Sequence, residues 1–379
     1  MSAKLPLSYV ELSKKSIEHN LRSVRAVAKP GVRFALAIKG NAYGHGQNEI
    51  AKLAERFADY FLVNSLEELR LLRVVSKKPC FVLGYVAPSA LGEALSLGAI
   101  LGVFSATQLG EIEKAARRAQ KKAEVHIAVD ALLGREGFIE SDLPKLFAAA
   151  RACRHVRITG MYAHFANIED TNNLTHAERQ VSAYESMLAI AEKHGYGGLA
   201  THISATSGLL AYEKAAGKNT IVRCGIGMYG LWPSEHLEYA YGKSELSLRP
   251  VLSWKTHVAQ VKTLPAGRTV GYGLTYMTKR ATKVALIPQG YADGYPRALS
   301  NKGYVLIGGK RCRVLGRVSM NMFVVDVSAV RGVAEGDEAV LLGEQGKDRI
   351  SAEDLGDWSG TINYEAVTRI SALLPRIIR

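Results

Sequence analysis

Cysteine is scarce in this chain: the four in 379 residues, Cys80, Cys153, Cys224 and Cys312, are widely spaced and form no CxxC pair. Neither a zinc site nor a disulfide framework is indicated, and reduced, mostly buried thiols are expected. No uninterrupted apolar segment is long enough to span a bilayer, and the opening stretch MSAKLPLSYVELSKKS lacks the apolar block of a signal peptide. A cytoplasmic protein is the expectation. Low-complexity tracts and short repeats are absent as well. The net charge of +14 suits the steering of anionic ligands, but the basic residues are dispersed in pairs such as Lys14-Lys15, Lys77-Lys78 and Arg117-Arg118. That dispersion reads as solvated surface, and no zinc-finger, helix-turn-helix or RNA-recognition signature accompanies it, so no nucleic-acid partner and no metal are expected.

What is present is apolar sequence with a clear rhythm. With 47% hydrophobic residues the chain can bury large cores and is expected to form two domains. From Arg33 to Gly230 short apolar runs alternate with helical patterns, and the candidate strands end near Ile38, Asn64, Gly84, Ser105, Asp130, His164, Thr206 and Arg223. Between them Ile50, Leu53, Ala54, Phe57 and Ala58 share one helical face, and Ser65 with Glu68 has the form of a capping box. Eight strands with crossover helices in a domain of this size favour an α/β fold of the (β/α)8 TIM-barrel type over an open doubly wound sheet. After Trp232 the texture changes to strands broken by glycine turns, as in GRTVGYGLTY and KGYVLIGGKRCRVLGRV, which predicts a mainly antiparallel β domain. The division expected is a barrel over 13–240 and a β-rich domain over 241–379, with the polar stretch PSEHLEYAYGKSELS at the junction.

The run FALAIKGNAYGHG, Phe34 to Gly46, carries the strongest chemical signal. Phe34 to Ile38 reads as a buried strand, so Lys39 is delivered by rigid backbone to a carboxyl strand end, where barrels build their active sites. A desolvated amine there is nucleophilic and suits a Schiff base with a carbonyl, pyridoxal phosphate included; Gly40, Gly44 and Gly46 let backbone and Tyr43 approach a phosphate. The plainer alternative is a solvated loop lysine beside a glycine turn. Other candidates fall at further carboxyl ends: Arg135 after the fifth strand, His164 closing the sixth, Thr206 at the seventh, and Arg223 to Ile226 at the eighth. The loops after strands seven and eight, ATSG from Ala205 and CGIG from Cys224, offer a phosphate the hydroxyl of Thr206 and the amides of Gly225 and Ile226.

The whole Lys39 string resembles the pyridoxal-lysine motif of alanine racemases. VRCGIGMYGL, VGYGLTY, GYADGY, GRVSMNM and TINYEAVTRIS extend the resemblance, in order, over nearly the full chain. It implies a fold-type III, pyridoxal-5'-phosphate-dependent isomerase acting on alanine, which supplies D-alanine for peptidoglycan in a host that makes it. Residues 1–12 are implied to add a strand to the C-terminal domain. Lys39 is implied to carry the cofactor and to be one of two catalytic bases, with Tyr272, from the partner chain of a homodimer, as the other. Two bases are needed because one base on one face of a planar carbanion favours return of the same enantiomer. A phenol is a poor base at neutral pH, so hydrogen bonding must favour phenolate. His164 and His202 are implied to form a network with Arg223, which faces the cofactor's ring nitrogen. As a permanent cation Arg223 keeps that nitrogen unprotonated, favouring simple proton return over transamination. Tyr43 and Tyr364 are implied to hold the phosphate, Arg135 and the backbone amide of Met320 the substrate carboxylate, and Tyr291 to line the entrance from the partner.

The chain departs from the family pattern in AVDALLGREG. Ala128 stands where a lysine, carbamylated in many members, orients the substrate-binding arginine. Another carboxylate must then hold Arg135, and Glu136 is a candidate. Asn321 replaces an aspartate, Cys224 a proline, and Thr206 a serine whose hydroxyl it keeps. Competing functions are a racemase of broader specificity, a related decarboxylase, and a noncatalytic pyridoxal-phosphate carrier; Tyr272, Met320 and Tyr364 in the C-terminal domain argue against the carrier.

Overall fold

Buried apolar runs become strands throughout the structure, a computed structural model that describes residues 6–212, 220–242 and 246–379. Residues 1–5 of the expected N-terminal strand lie outside the described residues. The chain separates into two compact units. One comprises Glu18–Gly40 and Ile50–Arg249; the other takes in Met1–Ile17, Asn41–Glu49 and Pro250–Arg379.

A first strand, β1 (Tyr9–Leu12), precedes eight that belong to the first unit: β2 (Arg33–Ala37), β3 (Tyr60–Val63), β4 (Cys80–Val82), β5 (Ala99–Val103), β6 (Ala123–Ala128), β7 (Val156–Tyr162), β8 (Ala200–His202) and β9 (Ile221–Cys224). These eight are parallel neighbours in the order β8-β7-β6-β5-β4-β3-β2-β9. Backbone bonds from Thr220 N to Thr201 O (3.0 Å) and from Arg223 N to Ser204 O (3.1 Å) tie the two ends of that order together, so the sheet curls into the expected barrel. Its strands are almost wholly buried, as parallel strands covered by helices must be.

The barrel interior is aromatic. Phe81 packs on His126 with ring centroids 4.7 Å apart, and Tyr162 stacks on His202 at 5.0 Å and 10°. Two glycines make room for these rings. A Cβ at Gly160 would lie 2.2 Å from the His126 ring, and one at Gly102 would lie 2.6 Å from the Tyr162 hydroxyl. Helices are started by serine caps. Ser65 accepts from Glu68 N (3.3 Å) and Ser105 from Gln108 N (3.1 Å), while the Glu68 and Gln108 side chains reach back to the amides of Asn64 and Phe104. The expected Ser65–Glu68 box is thus half formed in the usual sense, because Glu68 accepts from Asn64 rather than from Ser65.

Strands β4 to β8 all end earlier than expected, β4 to β7 by two residues and β8 by four. β7 stops at Tyr162, short of His164, and β8 at His202, short of Thr206, which opens the helix Thr206–Tyr212. Three carbonyls beyond those ends are taken by side chains. Ala163 O and Ile203 O accept from Arg223, and His164 O from Gln180, so no ladder continues through them.

The second unit is built on β10 (Leu252–His257), β11 (Gln260–Leu264), β12 (Thr282–Ile287), β13 (Tyr304–Ile307), β14 (Lys310–Leu315), β15 (Phe323–Asp326), β16 (Glu338–Gln345), β17 (Asp348–Ile350) and β18 (Arg376–Ile378). The sheet order is β11-β12-β15-β14-β13-β16-β10-β1-β18, with β17 on β16. β1 runs antiparallel to β10 and parallel to β18. The core holds Trp254, whose indole N–H donates to Gln289 Oε1 (3.0 Å), and Tyr295, stacked on Phe323 at 4.4 Å. Two helices, Ala352–Ser359 and Asn363–Thr368, complete a mainly β domain.

Candidate active site

In the barrel unit, the residues singled out from sequence gather at the carboxyl ends of the strands. Ile38 N bonds to Leu62 O (2.9 Å), which prolongs β2 by one residue and places Lys39 at its tip. Burial lowers the proton affinity of the Lys39 amine. The positive charges of Arg135 and Arg223 lower it further, against the opposing carboxylates of Glu68 and Glu136. Glu68 also fixes the backbone beyond the lysine: its Oε1 accepts from Gly40 N (2.7 Å) while its Oε2 holds Asn64 N (2.6 Å).

Arg223 is buried, with four of its five N–H groups committed. One terminal nitrogen donates to His202 Nδ1 and His202 O, both at 2.8 Å; the other donates to Ala163 O (2.8 Å), Ile203 O (3.0 Å) and His164 Nδ1 (3.1 Å). Its Nε–H has no acceptor among the described residues. A guanidinium only donates, so both imidazoles must accept from it. Burial, then the charge of Arg223, pushes His164 down to about 3 and His202 well below its ordinary value, and both are neutral at physiological pH. Burial likewise brings Arg223 down to about 10, leaving it a cation. Sequence reasoning missed a third imidazole: His126 Nδ1 lies 2.8 Å from His202 Nε2. Its signal is a histidine amid apolar residues in AEVHIA, opposite the glycine of ITGMY on the neighbouring strand.

Arg135 sits in the loop that leaves β6. Asp130 Oδ1 accepts from Leu133 N (2.8 Å) and Gly134 N (2.9 Å), and Asp130 N bonds back to Phe138 O (2.9 Å), so the loop is closed at its base. The Arg135 guanidinium grips Glu136 through two hydrogen bonds, from Nε to Oε2 and from a terminal nitrogen to Oε1 (2.9 Å). Burial raises the Glu136 carboxyl, but the hydrogen bonds from Arg135 and its own backbone, with the charges of Arg135 and Lys39, bring it net below the usual range. Ala128, buried at the end of β6, supplies no charge. A cavity of about 320 Å³ opens beside Arg135 and His164, lined also by Leu133, Asn167, Ala205 and Ser207.

Thr206, Gly225 and Ile226 come together as well. Thr206 Oγ1 accepts from Gly225 N (3.3 Å) and Gly227 N (3.4 Å), and a Cβ at Gly227 would lie 2.6 Å from the threonine methyl. Hydroxyl and amides within one turn are the donor set a phosphate requires.

The loop after Lys39 is a left-handed turn. Gly40, Asn41, Ala42, Tyr43 and Gly44 have φ of 62°, 53°, 53°, 53° and 80°. Three of them carry a Cβ, and each costs roughly 1–2 kcal/mol in this conformation. Gln47 N to Asn41 Oδ1 (3.0 Å), Gly46 N to Asn41 O (2.9 Å) and Arg376 to Gly44 O (2.7 Å) hold the strain. In the β unit this turn sets the ring of Tyr43 against that of Tyr364, 6.1 Å between centroids, which pairs the two tyrosines expected to bind phosphate.

The remaining candidates stand on the surface of the β unit. Tyr272 is 72% exposed between Gly271 and Gly273, whose φ of 70° and 73° form the tight turn; Met320 is 55% and Tyr291 43% exposed. Tyr291 N bonds to Ser319 O (3.1 Å) and Ala292 N to Met320 O (3.0 Å), so Tyr291 and Met320 adjoin. Of the two tyrosines in GYADGY, Tyr295 is core and Tyr291 is presented outward. Among the described residues no group of three or more His, Cys, Asp or Glu could hold a metal ion, and no helix is long and apolar enough to cross a membrane. All four cysteines are free thiols.

These residues can be weighed against a pyridoxal phosphate. They offer a half-buried amine of lowered proton affinity, a guanidinium with one unspent N–H and a phosphate-suited turn, and the group fits the chemistry of that set. Comparison with known proteins points the same way. Residues 12–233 match the family model described as alanine racemase, N-terminal domain, and residues 251–378 match alanine racemase, C-terminal domain. The alanine racemase of Leptospira interrogans is 34% identical over 379 residues, 98% of this chain and 95% of that protein. The crystal structure of alanine racemase from D-cycloserine-producing Streptomyces lavendulae aligns with a TM-score of 0.91 at 34% identity, covering 99% of this chain and 98% of that one. The alanine racemase of Bartonella henselae with covalently bound pyridoxal phosphate aligns with a TM-score of 0.86 at 26% identity, covering 99% of this chain and all (100%) of the other.

Proposed function

The chain belongs to the alanine racemase family, a family of isomerases, and on that footing we propose that it interconverts L-alanine and D-alanine using pyridoxal 5'-phosphate as a cytoplasmic homodimer with shared sites. The cofactor, when bound, supplies the electron sink that lets the α-proton of an amino acid leave. The chain's own residues do the rest. Lys39 holds the cofactor and moves a proton at Nζ on one face of the substrate; burial and the charges of Arg135 and Arg223 shift it towards the free base relative to an exposed lysine. Tyr272 of the partner subunit moves a proton at its phenolic oxygen on the other face, and its exposure on a glycine-flanked turn suits delivery to a second chain. Arg223 offers Nε–H to the cofactor's ring nitrogen and, as a cation, cannot accept a proton from it.

Tyr43, Tyr364, Thr206, Gly225 and Ile226 bind the phosphate, while His164 and His202 hold Arg223. Arg135 and the amide of Met320 take the substrate carboxylate, and Tyr291 lines the entrance. Glu136 supplies the negative charge that Ala128 does not, orienting Arg135 by the two-point grip.

The observation that carries this reading is that Lys39, at the tip of β2, has its proton affinity lowered by Arg223 of the adjacent strand β9, whose N–H groups are committed except at Nε. The test is direct. Purified protein supplied with pyridoxal phosphate is incubated with each L-amino acid in turn and the D-enantiomer is measured; borohydride reduction and peptide mapping locate the pyridoxyl group. D-alanine as the main product and a pyridoxyl group on Lys39 are expected. No D-enantiomer from any amino acid, or the adduct on another lysine, overturns the reading.

A further inference from the structure

We propose that His126 is a positioning residue: by accepting a hydrogen bond from His202 it fixes that ring's tautomer, and so holds Arg223 with its Nε–H turned to the cofactor. The inference rests on the cofactor reading above and adds a residue to it.

The direction of the chain of bonds follows from donor counting. Arg223 has no lone pair to offer, so the contact at 2.8 Å requires a bare Nδ1 on His202. A neutral imidazole with a bare Nδ1 carries its proton on Nε2. That proton points into the barrel interior, where water does not satisfy it, and His126 Nδ1 stands 2.8 Å away to accept it. His126 must therefore carry its own proton on Nε2. The order Arg223 to His202 to His126 is the one arrangement of neutral rings in which both contacts of His202, at Nδ1 and at Nε2, join a donor to an acceptor.

The surroundings keep His126 in that role. Its ring packs against Phe81 and against His202 at 5.1 Å, in space that exists because residue 160 is glycine. Burial holds its pKa down at about 3, so it remains a neutral acceptor where an imidazolium would present a second donor to His202. Without the acceptor His202 has two poor choices. It can leave Nε2–H unpaired in the core, or shift its proton to Nδ1 and confront the Arg223 N–H with a second N–H. Either way the guanidinium loses its fixed place.

Two variants of His126 separate hydrogen bonding from packing. His126→Asn keeps an acceptor oxygen about where Nδ1 lies; His126→Leu has comparable bulk and no acceptor. Bound cofactor is followed by its visible absorbance and by its retention on dialysis, and catalysis by the number of racemisation turnovers per cofactor lost to transamination. His126→Leu should release cofactor faster, and lose it to transamination more often, by about tenfold, the factor that one unmade buried hydrogen bond represents. His126→Asn should restore both towards the native values. Native retention and partition in a folded His126→Leu protein, or equal impairment in the two variants, overturns the proposal.

A measurement on the unaltered protein covers the case in which His126→Leu does not fold. Nitrogen-15 NMR of histidine-labelled protein, with or without cofactor, should show His202 protonated on Nε2 and bare on Nδ1. The opposite tautomer overturns the proposal while leaving the racemase reading untouched. Failure of the native protein to take up pyridoxal phosphate would instead strike that reading.

Discussion

A guanidinium that binds a carboxylate works only if something holds it still, and in this chain the nearest carboxylate belongs to the next residue. Arg135→Lys removes the two-point fork and should weaken the interaction with alanine by roughly 1.5–3 kcal/mol, read as a higher KM. Glu136→Gln keeps the shape and one acceptor but drops the charge. Because the pair is partly exposed, it should raise KM only about 2- to 5-fold with kcat little changed. Steady-state kinetics on the two variants decide. Unchanged constants for Arg135→Lys would mean that another group binds the substrate, and an unchanged KM for Glu136→Gln would mean that Arg135 needs no anchor. Lys39 was legible because a charged side chain just after a buried strand has no packing role there, whereas Arg135, in the loop beyond β6, and Arg223, inside β9, stood out through the family motifs around them. His126 was not, because one histidine inside an apolar strand reads as core until its neighbour is known to be a glycine. The Arg135–Glu136 grip was visible as a possibility only, since adjacency in sequence does not say which way either side chain points.

The eight parallel strands could be read from sequence because burial on both faces makes most of them short, largely apolar runs between helical patterns. Their ends could not, since β7 and β8 stop where side chains capture the carbonyls, and the partners Arg223 and Gln180 are distant in sequence. The left-handed turn after Lys39 was foreshadowed by its glycines and by Asn41, yet Ala42 and Tyr43 adopt the same φ, which no local preference predicts. Gly44 measures how tightly that turn is held. A Cβ there would lie 1.9 Å from Val367 O, whereas at Gly360, with φ of 77°, a Cβ meets nothing within 4 Å. Gly360→Ala should therefore cost only the left-handed penalty of about 1–2 kcal/mol. Gly44→Ala should cost clearly more and also weaken cofactor retention through Tyr43. Thermal unfolding of the two variants tests this, and equal losses would show that the close approach relaxes freely.

At the scale of the whole molecule, buried neutral histidines tie stability to pH. His126 and His164 are held at about 3, and His202 well below its ordinary value, by burial. Below about pH 6.5 the unfolded chain binds protons that the folded one refuses, so stability falls as pH drops from about 6.5 towards about 3, by at most ~1.4 kcal/mol per pH unit for each histidine. The melting temperature should fall between pH 7 and pH 5, above most carboxylate titrations, and less steeply in His126→Asn, which has one such group fewer. A flat profile would mean that these rings accept protons in the folded state.

If each site takes one base from each of two chains, variants that lack different bases must complement one another. Lys39→Ala and Tyr272→Phe homodimers should each be nearly inactive with alanine, since every site lacks a base. In a heterodimer of the two, one site carries both substitutions and the other keeps native Lys39 and native Tyr272. With random assembly at equal expression about half the dimers are mixed, so co-expression should restore about a quarter of wild-type activity. Activity no greater than the mean of the two variants, in a preparation shown to contain heterodimers, would contradict the shared two-base site.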